Sequence, residues 1–267
     1  MLAERVSDIY STSNRRAGLR KRRTTSAPPS RCGANLPLDS TLIYHRFRSP
    51  SRRAFLEAMD TRMQNSLSHL AYLSLEHAIV TLALRPGALV TEKHLIDLAG
   101  HGRTPVREAI QKLAWQGLIV VKPRVGLQVA EIKPTDHDNV MQVRRELEPI
   151  AAALAAESAT SEQRRELIEC AQAMQMCATT GDVAAFFAAD KAFDEILEEA
   201  CPNAFITSAL GPVQTHSRRL WSASTSPTRM DQSIALHVAV MRAIEQGRSK
   251  DAGRAMSALI EYLSNHN

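Results

Sequence analysis

Apolar residues recur at helical spacing from Ser66 to Leu84, at Leu67, Leu70, Leu73, Leu75, Ile79, Val80, Leu82 and Leu84. The spacing predicts a helix over 66–84, stopped by Arg85-Pro86-Gly87. A shorter helix fits 91–99, with Thr91 as N-cap and Leu95, Ile96 and Leu98 inward. After the turn Gly100-His101-Gly102, Val106, Ala109, Ile110, Leu113 and Ala114 form the stripe of a third helix that Gly117 ends. Thr104 is placed to cap that helix, and Pro105 suits its first turn, where no backbone donor is needed. The pattern then becomes strand-like. Ile119, Val120 and Val121 predict one strand and Leu127, Val129 and Ile132 a second, around the turn Pro123-Arg124-Val125-Gly126. Three short helices followed by a hairpin make a winged helix-turn-helix.

After Pro134 the pattern stays helical, with helices near 135–158, 161–179, 182–200, 203–223, 229–247 and 249–264. Pro149 lies inside the first of these and is expected to kink it. Helices of this length bury their stripes in one bundle core. The predicted fold is therefore mainly α: an N-terminal winged helix-turn-helix with a small hairpin wing, then an all-α bundle. The expected divisions are a disordered basic tail over 1–58, the winged domain over 59–133 and the bundle over 134–267.

Charge separates the same three parts. Residues 1–58 hold 12 Lys+Arg against 4 Asp+Glu, residues 59–133 hold 9 against 6, and residues 134–267 hold 12 against 18. The net charge of +5 thus conceals a basic front and an acidic rear, an asymmetry that suits a nucleic-acid-binding front. The tail is read either as a basic arm on DNA or as the product of a misplaced start, since Met59 and Met63 both precede the first patterned helix. No apolar run reaches the roughly 18 residues of a membrane span, and no signal-peptide core occurs, so the expected location is cytoplasmic. Cys170 and Cys177, seven apart on one helical face, read as small core residues, with a redox pair or metal site as the alternative.

The stretch GRTPVREAIQKLAWQGLI at 102–119 carries the sharpest chemistry. Arg103 and Arg107 open a helix, the end at which the helix dipole disfavours cations. Either an anion docks there or the arginines line a solvated face. Nothing resembling GxSxG, HExxH or a phosphate-binding loop occurs.

With RPGALV, TEKHLIDLAGHGRTPVREAIQKLAWQGLI and PRVGLQV, the chain from residues 85–126 resembles the GntR family of bacterial transcription regulators. VRRELEPIAAALAAE, DKAFDEIL and LHVAVMRAIEQG resemble that family's FCD type of ligand-sensing domain. The resemblance implies a ligand-responsive regulator that binds a palindromic operator in double-stranded DNA as a homodimer, with no membrane role. It places DNA contacts at Lys93, Arg103, Thr104, Arg107, Arg124 and Gly126. Lys93 stands where the family usually has arginine, and Gly102 where it usually has serine.

In the bundle, the resemblance implies a divalent-metal site of one Asp and three His. Here Asp190 and His237 match, Asp194 replaces the first His, and Leu259 replaces the last. Asp190, Asp194 and His237 would suit Mn²⁺ or Mg²⁺ better than zinc, or would hydrogen-bond a ligand directly. Arg144 and Arg218 are expected beside them, either as salt-bridge partners or as receptors for a small carboxylate effector. The alternative is a metal-dependent enzyme acting on a small organic acid through the same three residues. A purely structural helical protein leaves the wing and the basic helix start unexplained.

Overall fold

The computed structural model describes residues 67–224 and 230–265. The expectations for the 1–58 tail and for a start at Met59 or Met63 lie outside those residues.

The front of the chain builds one hydrophobic core from α1 (67–80), α2 (Glu92–Ala99), α3 (Arg103–Trp115) and a three-stranded antiparallel sheet. Its strands are β1 (Leu89–Val90), β2 (Ile119–Lys122) and β3 (Gly126–Val129), in the order β1-β3-β2. The wing is the β2–β3 hairpin, with Ile119 opposite Val129 and Lys122 opposite Gly126. β1 has no sequence signal because two residues cannot show a period. Its backbone places it: Gly87 N–H donates to the Val129 carbonyl (3.0 Å), and Val129 N–H returns to Ala88 (2.9 Å).

Several local expectations are corrected. The first helix stops at residue 80 rather than 84, because Leu82 adopts a left-handed φ of 60°. Leu84 N–H then bonds the Ala78 carbonyl (2.8 Å), which keeps the Leu84 side chain in the core. Leu67 and Leu70 face outward, and the buried face runs through Ala71, Tyr72, Leu75, Ala78 and Ile79. In α2 Thr91 caps as expected, accepting from His94 N–H at 3.1 Å, but Leu98 lies on the exposed side. Thr104 does not cap α3. The N-cap is Gly102, whose carbonyl accepts the Val106 N–H (3.2 Å), so Thr104 already lies in the first turn.

Among the described residues the rear of the chain is a bundle of six helices around a second core: α4 (Asp136–Ser158), α5 (Ser161–Thr180), α6 (Val183–Ala200), α7 (Ala204–Ser224), α8 (Met230–Glu245) and α9 (Ser249–Asn265). Thr160 and Gln163 close a capping box on α5, and the Asp182 carboxylate caps α6. α4 runs through Pro149 without interruption. α9 crosses it closely at Gly253, where a Cβ would stand 3.2 Å from the Pro149 carbonyl oxygen. Cys170 and Cys177 are buried free thiols of this core, and burial pushes the Cys170 thiol up to about 12. No helix among the described residues is long and apolar enough to cross a membrane.

Candidate functional site

The six positions singled out on the winged domain are all exposed: Lys93 on α2, Arg103, Thr104 and Arg107 on the first turns of α3, and Arg124 and Gly126 at the wing. The first turn of α3 holds no acidic residue and no side-chain cap, so its forward N–H groups and two arginines face solvent together. Arg107 is tethered: its Nε bonds both carboxylate oxygens of Glu92, at 2.9 and 3.0 Å, and so ties α3 to the start of α2. At the wing tip, Val125 N–H closes on the Lys122 carbonyl (3.1 Å). Arg124 sits in that turn with a left-handed φ of 65°, a conformation that favours glycine.

The bundle brings Arg144, Asp190, Asp194, Arg218 and His237 into one pocket, shared with Phe186, Trp221 and Ser233. Helical spacing puts Asp190 and Asp194 on one face of α6. Arg218 of α7 bridges them: its Nη1 donates to Asp194 Oδ2, and it lies 3.4 Å from Asp190 Oδ2. His237 Nε2 of α8 takes the other Asp190 oxygen at 3.0 Å, and its Nδ1 lies 2.8 Å from the Ser233 carbonyl. Arg144 is held apart from both aspartates by Glu148, which receives its Nε (2.7 Å) and Nη2 (3.1 Å), and by Ser217. The space left is about 30 Å³, roughly one water molecule. A larger groove of about 350 Å³ between α5 and α8, lined by Gln172, Gln175, Arg242 and Glu245, contains none of the predicted residues.

The two aspartates are driven apart in acidity. Burial alone would raise Asp190, but the His237 hydrogen bond and the charges of His237 and Arg218 hold it well below the usual carboxylate range. Asp194 is pushed upward, by burial first and then by the charge of Asp190, with Arg218 opposing. His237 is raised: burial would lower it, and the bond to Asp190 outweighs that.

This donor set does not fit a divalent metal. A guanidinium already lies against both carboxylates, supplying the positive charge a cation would bring, and Leu259 at the remaining ligand position is 1% exposed and apolar. Among the described residues no group of three His, Cys, Asp or Glu is set to hold an ion.

The residues around Arg218 also join the two cores, a role the sequence pattern does not show. Thr215 bonds Glu76 of α1, His216 Nε2 lies 2.7 Å from the Gln116 carbonyl at the end of α3, and Arg219 donates to the Ala130 carbonyl between the two cores. Both arginines are buried, Arg218 facing the bundle and Arg219 the junction. Glu76 was legible only as a charge interrupting an apolar stripe, and Glu148 as the i+4 partner of Arg144.

A winged helix-turn-helix joined to a helical bundle with a buried polar pocket defines a ligand-sensing transcription regulator. Residues 67–129 match "Bacterial regulatory proteins, gntR family" and residues 139–262 match "FCD domain". The HTH-type transcriptional regulator McbR of Escherichia coli K12 is 35% identical over 109 residues, which is 41% of this chain and 49% of McbR, about half its length. The solved structure of E. coli McbR superposes with a TM-score of 0.63 at 22% identity, covering 73% of this chain and 93% of that one, a likeness of fold. An HTH-type transcriptional regulator from the TAR-I ttuE-ttuC' intergenic region of Agrobacterium vitis is 30% identical over 130 residues, covering 48% of this chain and 76% of that protein. The E. coli K12 transcriptional repressor RspR is 26% identical over 196 residues, covering 72% and 85%. The chain belongs to the GntR family, with an FCD domain following its helix-turn-helix. It is a transcription regulator, and the enzyme alternative is withdrawn: its relatives are regulators, and an arginine holds both aspartates it would have used.

Proposed function

We propose that α3 enters the major groove of operator DNA, with Arg103, Thr104 and Arg107 at base edges and phosphates, Lys93 on a phosphate, and Arg124 and Gly126 at the wing. The observation that carries this reading is the start of α3, where two exposed arginines accompany N–H groups with no side-chain cap, on a packed three-helix core. Arginine offers guanine O6 and N7 two parallel donors, and helix N-termini receive phosphates. The winged domain over 59–133 binds, and the acidic bundle over 134–267 senses. The chain acts as a homodimer in the cytoplasm, reading a palindrome whose half-sites match its two-fold symmetry.

In the bundle, the effector is a small carboxylate that takes Arg218 from Asp194 without a metal ion. With room for about one water, an effector enters only by moving side chains that are already paired. Asp194 is the partner most easily released, because burial and Asp190 favour its neutral form. Asp190 stays, pinned by His237, and Arg144 remains on Glu148.

Selection of bound sites from random duplex DNA by the full chain tests the first reading. A palindromic consensus supports it, and uniform recovery of all sequences refutes it. Proton uptake on titrating a carboxylate library into the protein, absent in Asp194→Asn, tests the second.

A further inference from the structure

Glu76 puts a carboxylate where the apolar face of α1 would otherwise continue. It is 3% exposed, at the seam between the two cores. The Tyr72 hydroxyl (2.7 Å) and the Thr215 hydroxyl (2.9 Å) both donate to its Oε1, and the Lys191 ammonium lies 2.9 Å from Oε2. Burial would raise its pKa, but Lys191 and Arg218 outweigh that and hold it at about 2, so it is ionised at neutral pH. A buried charge is seldom the cheapest way to fill a seam, since apolar residues of similar volume are often as stable. It does impose one geometry, because each partner it loses leaves a buried charge short of a bond.

Two of its three partners belong to the bundle, and both adjoin the pocket. Lys191 directly follows Asp190, and Arg218 Nη2 approaches the Thr215 hydroxyl at 3.4 Å. On the other side, Tyr72 connects Glu76 to the recognition helix, because the Lys112 ammonium lies 3.9 Å from the centre of its ring. The contacts run without a gap from Asp190 and Asp194 through Arg218, Thr215, Glu76 and Tyr72 to Lys112.

We propose that Glu76 is the positioning residue that couples the pocket to the recognition helix, with Thr215 as its link to Arg218. The proposal rests on the regulator reading above. The Thr215 hydroxyl has one proton and two acceptors in reach, Glu76 and the Gly211 carbonyl at 3.1 Å. While Arg218 donates to Thr215, that proton is directed to Glu76. When Arg218 turns to an anion in the pocket, the hydroxyl is free to return to its own helix. Glu76 then loses a bundle partner, and α1 with Tyr72 and Lys112 settles differently against α7. The device has two discrete arrangements that both sites bias, as coupling requires.

The test is a double-mutant cycle in the full chain that needs no known effector. Asp194→Asn removes the negative charge that Arg218 faces in the pocket, Thr215→Val and Glu76→Gln break the link, and Thr215→Ser keeps the hydroxyl. Two quantities are read: amide hydrogen exchange over 103–115, and affinity for a duplex selected from random DNA by the wild-type chain. Asp194→Asn is expected to change exchange over 103–115 at least fivefold in the wild-type and Thr215→Ser backgrounds. In the Thr215→Val and Glu76→Gln backgrounds the change falls below twofold, and duplex affinity follows the same pattern. An effect of equal size in all backgrounds, or no effect in the wild type, overturns the coupling. Failure to select any duplex while the exchange cycle holds would remove the regulator reading and leave the coupling standing.

Discussion

Arg107 is an exposed arginine whose Nε is already bonded to both oxygens of Glu92, and that pair decides what its substitution does. The tether holds the guanidinium beside the start of α2 through Nε rather than through its two terminal nitrogens. Arg107→Ala is expected to weaken operator binding by roughly 1–3 kcal/mol and relax base preference at one position per half-site. Titration against a panel of single-base operator variants checks this; an equal loss on every sequence would reassign Arg107 to a phosphate. Glu92→Gln removes a negative charge beside the proposed DNA contact and loosens the tether on the guanidinium. Affinity for non-specific duplex should rise while the ratio of specific to non-specific binding falls. Arg124 poses a different balance. Its left-handed φ costs about 1–2 kcal/mol for a residue with a Cβ, yet the wing tip keeps a cation there. Arg124→Gly is expected to lose DNA affinity and flatten its salt dependence with no loss of folding stability. Arg124→Ala should lose the same affinity without the conformational relief. Unchanged DNA binding in both variants would take Arg124 out of the interface.

Among the elements, α4 and α9 meet at the pair Pro149 and Gly253. Pro149 offers no N–H to its own helix, and the missing Cβ of Gly253 lets α9 approach the α4 backbone there. A side chain at 253 would meet a carbonyl that cannot turn away, so Gly253→Val is expected to destabilise the chain by about 1–3 kcal/mol. Urea denaturation reads this as a lower midpoint at unchanged slope, and a wild-type midpoint would show that the helices separate freely. The six bundle helices were legible because their apolar stripes are long and most are separated by Gly or Pro, as at Gly181. The wing was legible from its change of period. The end of α1 was not, because Leu82 turns left-handed in a run that reads as helix, and β1 was too short to carry a pattern. The pocket residues were legible one by one, through resemblance and i,i+4 spacing. That Arg218 would bridge the aspartates, and that Glu76 would reach Thr215 139 residues away, depends on how two cores meet. No local period encodes such a contact.

For the whole molecule, buried titratable groups with opposite shifts give stability a two-sided dependence on pH. Glu76, held at about 2, and Asp190, held low by His237 and Arg218, bind protons less readily folded than unfolded. Their contributions are present above the usual carboxylate range near 4 and are lost as pH falls through their folded values. Asp194 has the reverse sign. Burial and the charge of Asp190 raise its folded pKa, so its contribution is complete below about pH 4 and is lost as pH rises through the folded value. His237, raised by Asp190, contributes fully below its ordinary value near 6.5 and fades above it. Stability should therefore climb from strongly acid conditions to a maximum in the mildly acid range, then decline toward neutrality and beyond. Asp194→Asn isolates one limb of that curve. It keeps an oxygen for Arg218 to bond but removes the titration, so the decline from about pH 4 upward should become shallower while the acid limb stays as it was. Urea midpoints of wild type and variant, taken from pH 3 to pH 8, give the comparison directly. Parallel curves across that range would mean that Asp194 is ionised in both states and that Arg218, rather than burial, governs it.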